Sequence, residues 1–419
     1  SPLANLVKTF EVIPPGAAAI IITPNAISIG VPIIFISKNA TIGKITSCET
    51  KPTKKSLGFF KTLAKSCVVK PKPRPSIINA KANGAIFVTI SIKMTLSAHN
   101  YFTIILNKFI YTKNYKMLSD KEIVCPNNLL NKAHKKKGVM VGIVNAGKPL
   151  PMLSVMDAVN ENLIIPVLIG DKNEIQKCAD DIRFDISNFE IIHEPIENNT
   201  AKIAAQLASK GKIKIIVKGH IHTDVLMKEV VKREYNLLGK TRLSHIWHMT
   251  LGKNDTPLII TDGALNVMPN VKTKMHILKN VVNYSHRIGI ERPKVAVLSA
   301  TEEVLDSVQS SLDAKEITEL AKKENLNADV FGPLAFDNSI SKKSASIKGI
   351  KNAVAGQADI LLVPSVETGN GLVKMMIYFM GACAAGVVIG GKVPVVITSR
   401  SDEATARLAS MAAAVVALD

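Results

Sequence analysis

The chain has 419 residues, enough for two or three domains with cores of their own. Hydrophobic residues make up 47% and charged residues 21%, a soluble, globular balance, and no apolar run approaches the roughly 18 residues that cross a bilayer. The formal charge of +19 would suit a nucleic-acid binder, but it is unevenly placed: residues 1–116 carry 16 basic and 2 acidic side chains, and the rest is only +5.

Residues 1–116 contain no aspartate, and proline clusters such as "KPKPRPS" separate isoleucine-rich runs. Stretches like "AIFVTISI" have β-propensity but lack the turn and cap chemistry that would organise them. A basic nucleic-acid arm, a targeting extension and sequence translated from upstream of a true start at Met117 all compete here; the third is the reading adopted. The extension is therefore taken as 1–116, of doubtful structure, with no nucleic-acid binding expected of the body. The first ten residues lack a secretion signal's layout, and five scattered cysteines without a CxxC pair fit a reducing, cytoplasmic setting.

From Met117 the pattern becomes regular. Apolar runs "GVMVGIV", "LIIPVLIG", "FEIIHE", "IKIIVKG", "PLIITDG", "KVAVLSA", "DILLVP" and "PVVITS" follow one another, with helical periodicity in most of the gaps. Strands alternating with helices predict a mostly parallel sheet covered on both faces.

In such folds ligands bind at the carboxyl ends of the strands, so the residues there are the candidates. They are His222 and Thr223 in "HIHTD", Asp262 in "IITDG", Asn338 in "FDNSIS", and Glu367, Gly369 and Asn370 in the apparent loop "VETGNG". The last strand delivers Ser399 and Arg400, with Asp402 and Glu403 behind them. Glycines let backbone N–H groups approach an anion, and a guanidinium grips phosphate with two hydrogen bonds. Helix capping is the commoner job for Asp262 and Asn338, and the glycines of "VETGNG" suit a tight turn and helix start equally well. His220, His222, His245 and His248 show HxH and HxxH spacings, but without cysteine or carboxylate partners they read as structural, and no metal is expected. There is no GxGxxG after a strand and no GxxxxGK[ST], so neither a dinucleotide fingerprint nor a P-loop is present.

The strings "KGHIHTDVLM", "LIITDGALN", "KVAVLSATEEV", "FGPLAFDN", "VAGQADILLVPSVETGNGL" and "VPVVITSRSD" together resemble the phosphate acetyltransferase and phosphate butyryltransferase family across about residues 138–419. The likeness is closest to the phosphate acetyltransferase part of bifunctional enoyl-CoA hydratase/phosphate acetyltransferase proteins. It implies two doubly wound α/β domains with an interdomain cleft, as in isocitrate and isopropylmalate dehydrogenases: 117–242 with 386–419, and an inserted 243–385. It implies reversible acetyl transfer between acetyl-CoA and inorganic phosphate, with coenzyme A as substrate, no resident cofactor, and a homodimer as the expected assembly. Ser399 and Arg400 match the family's Ser-Arg pair. The family's aspartate seven residues after that serine is Ala406 here, which moves the thiol-base role to Asp402 or Glu403. Met227 stands where an arginine would assist phosphate binding. Butyryl transfer is the nearest alternative. An NAD-dependent dehydrogenase of related fold is the alternative of another class, though the aspartate cluster it needs for Mg²⁺ is missing.

Overall fold

The computed structural model describes residues 118–398 and 402–418, together with the backbone of seven short strands among the first 104 residues. The chain forms two units, Ser1–Tyr115 and Lys116–Asp419. In the first, Phe10–Ile13 pairs antiparallel with Ala17–Ile20, which runs parallel to Tyr101–Ile104. Ile33–Ile36 with Ile42–Ile45, and Ser76–Ala82 with Ala85–Ser91, form antiparallel pairs.

The second unit is built on one eleven-stranded sheet. A first group comprises β1 (Met140–Val144), β2 (Ile165–Gly170), β3 (Glu190–His193) and β4 (Ile215–Lys218). Its helices are α1 (Asn127–Ala133), α2 (Pro149–Asn160), α3 (Lys172–Asp181), α4 (Glu197–Ser209) and α5 (Thr223–Val230). Next come β5 (Ser244–Thr250), β6 (Leu258–Thr261), β7 (Lys294–Leu298), β8 (Asp329–Leu334) and β9 (Ile360–Leu362). With them run α6 (Val271–Arg287), α7 (Gln309–Lys323), α8 (Phe336–Ile340), α9 (Lys342–Ile347) and α10 (Val366–Met380). The chain closes with β10 (Cys383–Ile389), β11 (Val395–Val396) and α11 (Ala404–Val416).

The strand order is β3-β2-β1-β4-β11-β10-β5-β6-β9-β7-β8. β3, β2, β1, β4 and β11 are mutually parallel, as are β6, β9, β7 and β8. Three antiparallel pairings join the groups, β11 to β10, β10 to β5 and β5 to β6, so the two groups run in opposite directions. The mostly parallel α/β sheet expected from the sequence is therefore present. All eight anticipated strands form, and β5, β8 and β10 are additional.

Both faces of the sheet are covered, which is why its strands are apolar on both sides. On one face α2, α3, α6, α7 and α11 share a continuous core that runs under both strand groups. On the other face there are two cores, one beneath α4 and α5 and one beneath α9 and α10. That division positions the site, because β10 and β11 cross the sheet between the two. Helix α11 is buried from Ala406 to Val416, and its small alanines let it lie close on β10, where Ser410 Oγ accepts the Gly386 N–H at 2.9 Å.

The apparent loop "VETGNG" is helical, and so is the segment around Asn338. "VETGNG" forms the first turns of α10, and Asp337, Asn338 and Ser339 lie in α8. Glycine at 369 is required by packing: a Cβ there would fall 2.6 Å from Gly263 Cα, so the helix start rests directly on the turn after β6. Among the described residues, no helix is long and apolar enough to cross a membrane.

Candidate active site

β11 ends at Val396, and the described chain continues through Ile397 and Thr398 before resuming at Asp402. Ser399 and Arg400 lie outside the described residues. What surrounds their place is described. The Lys218 ammonium at the end of β4 reaches the Thr398 carbonyl at 3.4 Å. Asp402 is nearly buried by its side chain and stands 3.9 Å from Lys374 Nζ on α10. Its backbone carbonyl accepts a hydrogen bond from Arg407 Nε at 3.1 Å. Arg407 is itself buried in α11, and that burial lowers its pKa, opposed by the nearby Asp402 charge.

Asp402 and Glu403 sit at the N-terminal end of α11, where the helix dipole favours negative charge. Beside them is a hollow of about 220 Å³ lined by Lys121, Lys374, Tyr378, Asp402, Glu403 and Ala406, among others. Ala406 is buried at its edge, so no carboxylate is supplied there.

Helix α10 links this end of the molecule to the other candidates. Glu367, Asn370, Gly371, Lys374 and Tyr378 recur at spacings of three and four, which places them on one helical face. Glu367, Asn370 and Gly371 are exposed, and Lys374 points that face at Asp402. A Cβ at Gly371 would meet nothing within 4 Å, so packing does not explain the glycine; it leaves bare backbone on the exposed face. The Glu367 carboxyl is held below its usual range by its own backbone N–H and by the Ser365 hydroxyl. His222 and Thr223 are exposed at the start of α5, with the His222 N–H donating to Glu197 Oε1 at 2.9 Å.

Two other candidates are buried, Asp262 with both oxygens engaged and Asn338 with its amide donating but its Oδ1 unpartnered. Asp262 is 2% exposed; Oδ1 accepts the N–H groups of Ala264 and Leu265, and Oδ2 those of His245 and the Asn266 amide. It ties the turn after β6 to the start of β5. Asn338 is fully buried and donates to Glu302 Oε2 at 3.1 Å. Glu302 in turn pairs with Lys348 at 3.0 Å, whose hydrogen bond is the main reason its carboxyl is depressed. His245 and His248 point to opposite faces of β5 and cannot share an ion; His248 meets the Tyr284 hydroxyl at 3.2 Å. Met227, at the position matched to an arginine, is buried among apolar neighbours.

Sequence reasoning passed over Lys218 and Lys374. Lys218 carried a signal, a cation directly after the three aliphatic residues of "IIVK"; Lys374 carried one only once "VETGNG" is read as helix, four residues after Asn370.

Residues 187–415 match the family model described as phosphate acetyl/butaryl transferase. A phosphate acetyltransferase of Rickettsia typhi is 38% identical over 285 residues, 68% of this chain and 82% of the relative. A phosphate butyryltransferase of Clostridium acetobutylicum is 35% identical over 289 residues, 69% of this chain and 96% of the relative. Among solved structures, a branched-chain phosphotransacylase from Enterococcus faecalis superposes with a TM-score of 0.60 at 33% identity, covering 67% of this chain and 98% of the other.

Proposed function

The chain belongs to the phosphate acetyl/butyryl transferase family, and we propose that it transfers an acetyl group reversibly between acetyl-CoA and inorganic phosphate. The observation that supports the site assignment is that both described flanks of residues 399–401 meet cations, Thr398 through Lys218 and Asp402 through Lys374. Coenzyme A acts as a substrate, and no resident cofactor enters. Asp402, or Glu403 beside it, takes the thiol proton. The thiolate attacks the acyl carbon of acetyl phosphate, the carbon–sulfur bond forms, the carbon–oxygen bond to phosphate breaks, and phosphate leaves. Arg400 neutralises the phosphoryl oxygens in ground and transition states. Ser399 donates a hydrogen bond to charge that develops mainly in the transition state. Asn370 and the bare backbone at Gly371 offer the α10 face to the acyl phosphate or the pantetheine end. The body is read as two subdomains, 117–242 with 386–419 and 243–385, joined through β5 and β10. The assembly is read as a cytoplasmic homodimer, which sedimentation equilibrium returning a monomer would remove.

The named relatives include both acetyl- and butyryltransferases, so butyryl transfer is the second reading. Coupled assays of thioester formation from acetyl, propionyl and butyryl phosphate separate the two, with the acetyl substrate expected to lead. Ser399→Ala should lower turnover about 10²–10³-fold with little change in either Michaelis constant, as when one oxyanion donor is removed. Arg400→Ala should raise the Michaelis constant for acyl phosphate and slow turnover as well. Near wild-type rates in both variants would show that the last-strand site is not catalytic.

A further inference from the structure

The second unit holds a cavity of about 650 Å³ that the proposed reaction does not use. Pro394, which precedes β11, lies in its wall, whereas Thr398 and Asp402 follow that strand. The cavity is therefore at the amino end of β11, the opposite end from the candidate active site. α6 and the end of α11 form one side, the turn after α7 a second, and the segments leading into β5 and out of β10 a third. Its frame is fixed. Asn280 is 4% exposed and donates its amide to the Arg242 carbonyl and to Ser244 Oγ, both at 2.8 Å, while its Oδ1 accepts the Thr241 hydroxyl at 2.7 Å. The Lys392 N–H donates to the Leu237 carbonyl at 2.8 Å, and Leu238 bridges to Gly391, so the two segments are pinned together. Gly239 is needed for that approach, since a Cβ there would lie 2.2 Å from the Gly390 carbonyl oxygen.

Lys240, Lys279, Arg287 and Lys392 line this cavity, and none of its described lining residues is a carboxylate. Two of these cations are engaged elsewhere. Lys279 pairs with Glu324 at 2.7 Å, and Arg287 donates to the Ala417 carbonyl at 2.8 Å. The carbonyl end of α6 attracts cations on its own account, so Arg287 and His286 in its last turn need no ligand to explain them. Lys240 and Lys392 are different. They stand on the pinned segments outside any helix, both are exposed, and neither pairs with a carboxylate among the described residues. Like charges gathered on a concave wall raise the local potential and draw anions.

We propose that this cavity is a second ligand site, which takes a phosphate-bearing anion of nucleotide size and holds it through Lys240 and Lys392. The volume falls within the range of small-molecule sites. Lysine binds phosphate as a point charge on a flexible stem, which suits two exposed ammonium groups at a cavity wall. Asn283, exposed on α6, offers its amide to the uncharged part of the ligand. The site shares no residue with the candidate active site, and its assignment does not depend on the acyl-transfer reading.

The test is calorimetric titration of the full chain with inorganic tripolyphosphate and with adenosine triphosphate, at about 0.15 M ionic strength to screen diffuse attraction. The basic residues 1–116 are common to every variant, so the readout is the binding component that a substitution removes. Lys240→Gln combined with Lys392→Gln should weaken that component about 5- to 30-fold, the size of two exposed ion pairs. Lys177→Gln combined with Lys202→Gln removes the same charge from exposed positions on α3 and α4, and should leave affinity within about twofold. Asn283→Trp keeps every charge and fills the cavity; it should weaken adenosine triphosphate at least about tenfold. Tighter binding of adenosine triphosphate than of tripolyphosphate supports the site with a nucleotide as its ligand. Equal affinities support it with recognition through the phosphates alone. A wild type that binds neither probe overturns the proposal, and so do equal losses in the two double variants. Undiminished binding of adenosine triphosphate by Asn283→Trp overturns it as well, because the charge would then act without the cavity.

Discussion

The two strand groups place similar polar residues at their carboxyl ends and use them differently. After β6 and β8, Asp262 and Asn338 are buried, and Asp262 has both oxygens engaged by two partners each. After β4 and β11, His222 and Thr223 are exposed, while Lys218 and Asp402 reach toward a neighbouring strand and helix. Helix α10 spans the contrast, starting against the β6 turn through Gly369 and presenting Lys374 to Asp402. A polar side chain at a strand end is thus a ligand candidate only after its own bonds have been counted.

Asp262→Ala should break the contrast most severely. It strips two backbone N–H groups of the turn, the His245 N–H and the Asn266 amide of a buried acceptor at once. Unsatisfied buried donors cost about 1–3 kcal/mol each, so a loss of about 3 kcal/mol or more is expected in urea denaturation. Asn370→Ala, on the exposed α10 face, should stay within about 0.5 kcal/mol of wild type and change the kinetics instead. Equal stabilities for the two variants would erase the distinction between the strand groups.

The sequence made the parallel strands legible because each is a short apolar run with turn residues behind it. It hid β5 and β10, the strands that join the groups. β5, "SHIWHMT", carries two histidines and a threonine where an apolar run was sought, and all seven residues are nonetheless buried. β10, "CAAGVVI", is rich in alanine and glycine, which have low β-propensity. Its Gly386 is needed because a Cβ there would sit 2.7 Å from the Trp247 ring and 2.9 Å from that of His245. The helical start of α10 was hidden for a related reason: two glycines and an asparagine read as a loop, and only the contact of Gly369 with Gly263 shows why a helix tolerates the first. For the site, residue types were legible, but not which of them burial would consume.

The joining strand gives the next prediction. Burial lowers the pKa of His245 and of His248 to about 4, against 6.5 for the free side chain. For His245 the Asp262 charge and the Ile397 backbone oppose the shift, though neither ring nitrogen makes a well-formed hydrogen bond. Each imidazole is neutral in the folded protein while the unfolded chain binds a proton below pH 6.5. Stability is therefore fully present above that pH and is lost as pH falls toward 4. Linkage gives about 2 kcal/mol per histidine by pH 5. Denaturation of wild type between pH 7.5 and 5 should show this fall, and His248→Gln should flatten about half of it. A flat wild-type profile would mean that β5 does not hold its histidines neutral.

The smallest and most discriminating effect comes from two glycines two residues apart. At Gly369 an added methyl would lie 2.6 Å from Gly263 Cα and 3.0 Å from the Val363 side chain. Backbone cannot easily yield, so Gly369→Ala should cost about 1–3 kcal/mol, as overpacking does. At Gly371 the methyl enters open space, and replacing a mid-helix glycine with alanine stabilises by about 0.5–1 kcal/mol. Gly371→Ala should therefore raise Tm. If the bare backbone there lies against substrate, the same change should raise the Michaelis constant for coenzyme A or acyl phosphate several-fold. Stability and activity would then move in opposite directions at one position and together at the other. A Gly371→Ala protein that is both more stable and fully active would remove this part of α10 from the substrate surface, while the assignments at the end of β11 would stand.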